Sequence, residues 1–212
     1  MTVNTKDYTE FEAKFYPVDK EEYRKKLLSI GAKLDITERK MVRVVADRRA
    51  NPILPNHTNI RVRNEGNLVR LSIKISAEQD GSLSDQKEVD VEVSDFDKTV
   101  KILETAGLKF NRRQETLREE WEYKSAQITI DTWPGLDTYS EIEAGSEEKV
   151  KEIAEDLGFN WSKKIITPAP EIYAKVYGMD IEEVLTKVSN ITFENNPFNN
   201  LKKVWIPKTQ DS

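Results

Sequence analysis

The chain has 212 residues, with 33 Lys and Arg against 38 Asp and Glu, no Cys and a single His. The lack of Cys excludes a disulfide framework, a thiolate zinc site and a cysteine nucleophile, and the single His argues against a multi-histidine metal site or a Ser-His relay. No stretch approaches roughly 18 apolar residues, so we expect no membrane span, and the net charge of −5 gives no reason to expect nucleic acid as a partner.

The first seven residues, Met1–Asp7, are polar and lack the basic-then-apolar order of a signal peptide, so we expect a cytoplasmic protein. The charged share of 33% is high and the hydrophobic share of 37% is low for a packed domain. Because the apolar residues are placed too regularly for disorder, we infer that many charges line something other than the outer surface.

Seven segments alternate between apolar and charged residues, which predicts strands with one apolar and one charged face. A less regular segment, Met41–Asp47, predicts an eighth strand. The seven alternating segments are Glu10–Phe15, Ile60–Arg63, Val69–Ile75, Glu88–Val93, Arg118–Tyr123, Ile128–Asp131 and Glu141–Ala144.

Three segments with an acidic first turn, apolar residues at helical spacing and a Gly at the end predict helices. A fourth helix is predicted within Pro170–Val188, interrupted at Gly178. Because residues 1–165 contain no linker, we predict one domain over residues 1–180, followed by a C-terminal extension or strap over residues 181–212. The first three helices are Val18–Ala32, Asp95–Leu108 and Ser146–Phe159.

The charged strand faces could cover an open antiparallel sheet in contact with solvent, which is their commonest meaning. However, almost every strand carries them, and carboxylates and guanidiniums are mixed two residues apart. We therefore predict an α+β fold in which a mainly antiparallel, eight-stranded sheet closes into a β-tunnel, or barrel. Its interior would be charged, and the amphipathic helices would pack on its outside.

The charged residues form two groups that together predict a metal-bridged polyphosphate site. Carboxylates without His or Cys suit Mg2+ or Mn2+, and Arg and Lys bind phosphate oxygens. The candidate metal ligands are Glu10, Glu12, Asp131, Glu141 and Glu143. The candidate phosphate-binding residues are Lys14, Arg61, Arg63, Lys74 and Arg118.

The order of these motifs resembles the CYTH family of triphosphate tunnel metalloenzymes, which includes class IV adenylyl cyclase and thiamine triphosphatase. The resemblance extends over roughly residues 8–177. One departure is Thr116, where the family often has Lys, so that a phosphate contact is lost or is supplied by Arg112 or Arg113. The matching motifs are Glu10-Phe11-Glu12-Ala13-Lys14, Arg61-Val62-Arg63, Leu71-Ser72-Ile73-Lys74, Glu88 to Glu92, Arg118, Asp131, Gly135-Leu136 and Glu141-Ile142-Glu143.

The resemblance implies metal-dependent chemistry on a triphosphate-containing small molecule such as inorganic triphosphate, ATP or thiamine triphosphate. A triphosphatase is the first hypothesis, with Glu10, Glu12 or Asp131 as the catalytic carboxylate that positions or activates water. A class IV adenylyl cyclase is the second, and a polyphosphate- or nucleotide-binding module without turnover is the third. The sequence leaves open whether the chain forms a homodimer.

Overall fold

The structure, a computed structural model, describes residues 8–78 and 81–205. The predictions for Met1–Asp7 and for the end of the C-terminal strap after residue 205 lie outside the described residues, as do residues 79 and 80. Within the described ranges, the wall of the fold is built from eight strands. These are β1 (Phe11–Phe15), β2 (Lys33–Asp47), β3 (Thr58–Asn64), β4 (Val69–Ile75), β5 (Lys87–Val93), β6 (Arg112–Tyr123), β7 (Ala126–Thr132) and β8 (Tyr139–Ala144).

The helices begin and end where the sequence predicts capping residues. Asp19, Asp95 and Ser146 each accept a hydrogen bond from the backbone N–H three residues later, which stabilises the first turn. The predicted interruption at Gly178 is confirmed, because this residue adopts a left-handed conformation between two helices. The helices are α1 (Lys20–Ser29), α2 (Phe96–Thr105), α3 (Glu147–Asp156), α4 (Ala169–Tyr177) and α5 (Ile181–Lys187).

The eight strands form one antiparallel sheet in the order β1-β8-β7-β6-β2-β3-β4-β5. A two-residue strand, β9 (Asn190–Ile191), pairs in parallel with β6 outside this order. The predicted α+β fold with a curled eight-stranded sheet is therefore confirmed. Its closure is looser than a complete barrel, because in the described residues β1 and β5 meet through one isolated bridge, Thr9–Lys87, instead of a ladder.

Two strands are much longer than the sequence predicts. β2 starts at Lys33 instead of Met41, and β6 starts at Arg112 instead of Arg118. The first half of β2 is largely exposed, its residues 37–40 are all polar, and its pairing with β6 is interrupted by two register shifts. Alternation is therefore weak there, and the period-two pattern does not reveal the strand.

Helices α1 and α3 cover the outer apolar face of β1, β7 and β8, as predicted, and form a core around Phe15, Ile142 and Ile153. In contrast, α2 has no buried residue, and Ile102 on it remains 68% exposed. The outer face of β4 and β5 is therefore only partly covered. No helix in the described parts of the chain is long and apolar enough to cross a membrane.

The C-terminal segment forms a second core at one side of the sheet. Val184, Val188, Ile191 and Phe198 are fully buried there, together with the aromatic side chain of Trp133 from the end of β7. Tyr173 of α4 donates a hydrogen bond of 2.6 Å to the carbonyl of Pro134. The C-terminal segment therefore packs against Trp133 and Pro134, the residues that directly follow β7.

Candidate active site

The inward faces of the strands enclose a cavity of about 440 Å3. All ten candidate site residues from the sequence line this one cavity. Among the described residues, nine carboxylates and eight cationic side chains line this cavity. Because the two numbers nearly balance, an anion or a cation would be attracted by one part of the wall and not by the cavity as a whole.

One part of the cavity has an excess of carboxylates. Glu10, Glu12 and Glu143 each offer an oxygen atom, and these atoms lie within 4.8 Å of one another. Glu12 lies on β1, Glu10 immediately precedes this strand, and Glu143 lies directly opposite Glu12 on β8. Three hard oxygen donors at this spacing fit a divalent cation such as Mg2+ or Mn2+.

The pKa values of the three glutamates in this cluster depend on which of them contact a lysine. Burial and the neighbouring Glu12 raise the pKa of Glu10 to about 8 and that of Glu143 to about 7. Despite its burial, Glu12 has a pKa well below the ordinary value, because Lys14 and Lys74 both contact it. Fully ionised, the three carboxylates would carry more negative charge than the two lysines compensate, so Glu10 and Glu143 retain their protons to a higher pH.

Lys74 of β4 links this carboxylate cluster to Glu88 of β5. Its Nζ lies 2.6 Å from Glu10, 3.3 Å from Glu12 and 3.6 Å from Glu88. Burial disfavours the charged ammonium, but the three carboxylates outweigh this effect and raise the pKa of Lys74. If Lys74 moved to a phosphate, Glu12 would keep Lys14 and Glu88 would keep Arg61, whereas Glu10 would lose its ion-pair partner in the described structure.

Arg118 on β6 is held by the two remaining candidate metal ligands. It forms two hydrogen bonds with Asp131, of 2.7 and 3.0 Å, and one of 2.5 Å with Glu141. Thr129 also donates to Asp131, with Oγ1 2.5 Å from the carboxylate. The structure thus brings Asp131 and Glu141 together around a guanidinium, whereas Glu10, Glu12 and Glu143 form the open cluster.

An adjacent part of the cavity is rich in guanidiniums. Arg61 contacts Glu88 at 2.5 Å, and Arg63 contacts Glu65 at 2.7 Å. Burial and the nearby Arg61 and Arg118 lower the pKa of Arg63 to about 10. Like charges therefore lie close together here, and an anion would relieve their repulsion.

Several cavity residues were not predicted from the sequence, notably Arg43 and Glu65. Glu65 lies in the β3–β4 turn and binds Arg39, Arg63 and Arg70; its sequence position, just after the alternation ends, gives no signal of burial. Arg43 lies between the apolar inward residues Met41 and Val45 of β2, which hides its orientation. Lining residues outside the ten candidates also include Arg112, Gln114, Thr116, Glu120, Gln127, Thr129, Trp133 and Tyr139.

The two residues considered as substitutes for a Lys at position 116 have other surroundings. Arg112 lines the cavity but is paired with Asp47 at the end of β2. Arg113 is exposed, and its alternation places it on the outer face of β6. Thr116 itself is buried and lines the cavity.

Comparison with known proteins agrees with the fold and the motifs. The sequence model of the CYTH domain matches residues 9–165. Among solved structures, the chain resembles a conserved hypothetical protein from Pyrococcus furiosus, with a TM-score of 0.62 and 20% identity over 75% of this chain and 96% of that chain. A comparison with curated proteins finds no match to this sequence.

Two further solved structures come from proteins described by an activity. One is a candidate adenylate cyclase from Vibrio parahaemolyticus, with a TM-score of 0.67 and 11% identity over 79% of this chain and 98% of that chain. The other is a candidate adenylyl cyclase from Hippeastrum, described as having a dominant triphosphatase activity, with a TM-score of 0.53 and 13% identity over 81% of this chain and 97% of that chain. At these identities, the likeness shows a shared fold.

Proposed function

The chain belongs to the CYTH domain family, and on this premise we propose that it is a metal-dependent triphosphatase. It would hydrolyse an inorganic or organic triphosphate inside the cavity of the curled sheet. The observation that supports this most strongly is the separation of charge within one cavity. A carboxylate cluster able to hold a divalent cation lies beside a group of guanidiniums able to hold phosphates.

The cationic residues would bind the phosphate chain. Arg61, Arg63 and Arg118 offer paired N–H donors that match phosphate oxygens, and Lys14 and Lys74 add point charges near the carboxylate cluster. All five have carboxylate partners in the ligand-free protein. Binding of triphosphate would therefore exchange a carboxylate for a phosphate oxygen at each of them.

The carboxylates would hold the cation and position water. Glu10, Glu12 and Glu143 would bind Mg2+ or Mn2+, and Asp131 and Glu141 would become available as ligands once Arg118 turns to a phosphate. The bound cation would neutralise phosphate oxygens and stabilise the charge that develops during transfer.

Of the candidates for positioning the water, Glu10 is the least constrained. Glu12 and Asp131 each accept from two side chains in the described structure, whereas Glu10 contacts Lys74 alone. Water positioned there would attack a terminal phosphorus atom, and the bond from that atom to the diphosphate leaving group would break. Arg61 and Arg63 would bind the oxygens on which negative charge increases.

Hydrolysis is favoured over cyclisation of ATP by the few aromatic surfaces in the cavity. Among the described lining residues, the aromatic rings belong to Trp133 and Tyr139. Both are buried, at 4% and 1% exposure, and a face of Trp133 is covered by Arg43. Neither ring is open for stacking on a nucleobase, which favours inorganic triphosphate as the substrate.

The test is a substrate panel of inorganic triphosphate, ATP, GTP and thiamine triphosphate, each with Mg2+ and with Mn2+, followed by chromatographic identification of the products. We expect phosphate and diphosphate from inorganic triphosphate. If ATP gave mainly cyclic AMP and diphosphate, the reaction would be cyclisation and the proposed hydrolysis would be wrong. If no substrate of the panel were turned over with either metal, the result would instead support a binding module.

The panel is repeated with Glu143→Gln, which removes a carboxylate of the proposed metal site. Glu104→Gln is the matched control, because Glu104 is exposed on α2, outside the cavity. We expect turnover to be lost in the first variant and unchanged in the second. Equal activity of the two variants at limiting Mg2+ would contradict the proposed metal site.

A further inference from the structure

Arg43 differs from every other cation of the cavity wall. Of the eight cationic side chains that line the cavity in the described residues, seven have a carboxylate oxygen within 4.0 Å, and Arg43 has none. Its contacts are neutral: Nε donates to Oε1 of Gln114 at 3.0 Å, and its guanidinium carbon lies 4.3 Å from the centre of the Trp133 ring.

The surroundings of Arg43 make its charge costly in the ligand-free protein. Burial, together with the nearby Arg61 and Arg63, lowers the pKa of Arg43 to about 9, so the side chain remains charged at neutral pH. Arg118 adds a further positive charge nearby. A buried charge without a counterion is strongly unfavourable unless something else compensates it.

The two neutral contacts fix the side chain and leave its outer donors available. Gln114 cannot easily turn away, because its Nε2 donates to the carbonyl of Val188 at 2.9 Å in the C-terminal segment. Trp133 packs within the second core, against Tyr173. Both Nη groups of Arg43 make no hydrogen bond with the described residues, although the side chain lines the cavity.

We propose that Arg43 is a further phosphate-binding residue of this site, whose terminal N–H groups bind phosphate oxygens beside those held by Arg61 and Arg63. This inference rests on the proposed function, because it assumes a polyphosphate in the cavity. The anion would supply the counterion that Arg43 lacks. Arg43 is also better placed for this role than Arg112, whose charge is already paired with Asp47.

The test compares Arg43→Met with Arg112→Met, a matched control that removes another guanidinium from the same wall. Binding of inorganic triphosphate with Mg2+ is measured by calorimetry, and stability is measured by thermal unfolding of the ligand-free variants. For Arg43→Met we expect an affinity roughly 10- to 100-fold lower than that of the wild type, with an unchanged or higher melting temperature. For Arg112→Met we expect a lower melting temperature, because Asp47 loses a partner, and nearly wild-type affinity.

Arg43→Lys gives a second measure, because it keeps the positive charge without the guanidinium. We expect its affinity to lie between those of Arg43→Met and the wild type. If the wild type binds triphosphate and Arg43→Met binds it equally well, the inference is wrong and the proposed function stands. If the wild type itself binds no triphosphate, both are wrong.

Discussion

Arg118 and Asp131 lie directly opposite each other on β6 and β7 and form a bidentate ion pair, with Nε–Oδ1 and Nη2–Oδ2 distances of 2.7 and 3.0 Å. The pair shows how the ligand-free cavity tolerates its charges. Most of its cations are neutralised by carboxylates, so like-charge repulsion is concentrated near Arg43. A phosphate would have to replace Asp131 and Glu141 to bind Arg118.

Removal of Arg118 should therefore be costly before any ligand is present. Arg118→Met would leave Asp131 and Glu141 without their cation, and loss of one partner from a buried pair costs about 3–5 kcal/mol. We expect the ligand-free variant to lose stability of that order in urea denaturation. Adding Asp131→Asn to this variant should recover part of the loss, and wild-type stability of the single variant would show that the pair contributes little.

The two glutamates at the end of β8 should respond differently to substitution. Glu143 makes no ion pair in the described structure, whereas Glu141 contacts Arg118 and Lys14. We expect Glu143→Gln to keep or raise the melting temperature and Glu141→Gln to lower it, while both variants lose most of the Mg2+-dependent activity. Full activity in both at limiting Mg2+ would contradict their proposed role as metal ligands.

The carboxylate cluster should make the metal-free protein less stable at higher pH. The folded protein keeps protons on Glu143 up to about pH 7 and on Glu10 up to about pH 8, whereas the unfolded chain releases them near the ordinary value of 4.5. This contribution to stability is therefore complete below the ordinary value and is lost as the pH rises through these two pKa values.

We expect the free energy of unfolding, measured with urea in the presence of a chelator, to fall between pH about 5 and about 8. Glu143→Gln should reduce the slope, because one of the two titrating groups is removed. A stability that rises with pH over this range, or a slope that is unaffected in the variant, would show that the cluster is not protonated as described.

The C-terminal segment should be necessary for the stability of the whole fold. Phe198 is 1% exposed and packs against Tyr173 and Tyr177, with ring centres 4.5 and 4.8 Å apart. Phe198→Ala should cost about 3–5 kcal/mol in the free energy of unfolding, because it removes a buried ring and leaves a cavity. Phe193→Ala is the control, since Phe193 is 38% exposed, and an equal effect of both would contradict this account.

Strand alternation was enough to predict the wall of the cavity and the ten candidate residues on it. In a strand, side chains two apart share a face, so Arg61 and Arg63, or Glu10 and Glu12, must lie on one side together. The helix caps at Asp19, Asp95 and Ser146 are equally local signals, and they too are confirmed.

The residues that the sequence did not reveal depend on contacts between distant segments. Arg43 follows apolar neighbours on both faces of β2, so its inward position becomes clear only from the pairing of β2 with β3 and β6. Arg118 pairs with Asp131 and Glu141, and this pairing decides which carboxylates remain available to bind a metal cation. The packing of residues 184–198 around Trp133, which follows β7, likewise depends on contacts between distant segments and not on a local sequence pattern.

The seam between β1 and β5 makes the rigidity of the sheet uneven. The backbone contributes the Thr9–Lys87 bridge there and one N–H from Glu10 to Gln86. Side chains add the ammonium of Lys74 on β4, which reaches Glu10 and Glu12, and hydrogen bonds donated by Lys87 to Thr9 and by Gln86 to the carbonyl of Glu12. Transient separation of the two edges should thus be more frequent at high ionic strength, with faster amide hydrogen exchange in β5 than in the fully paired β6 and β7.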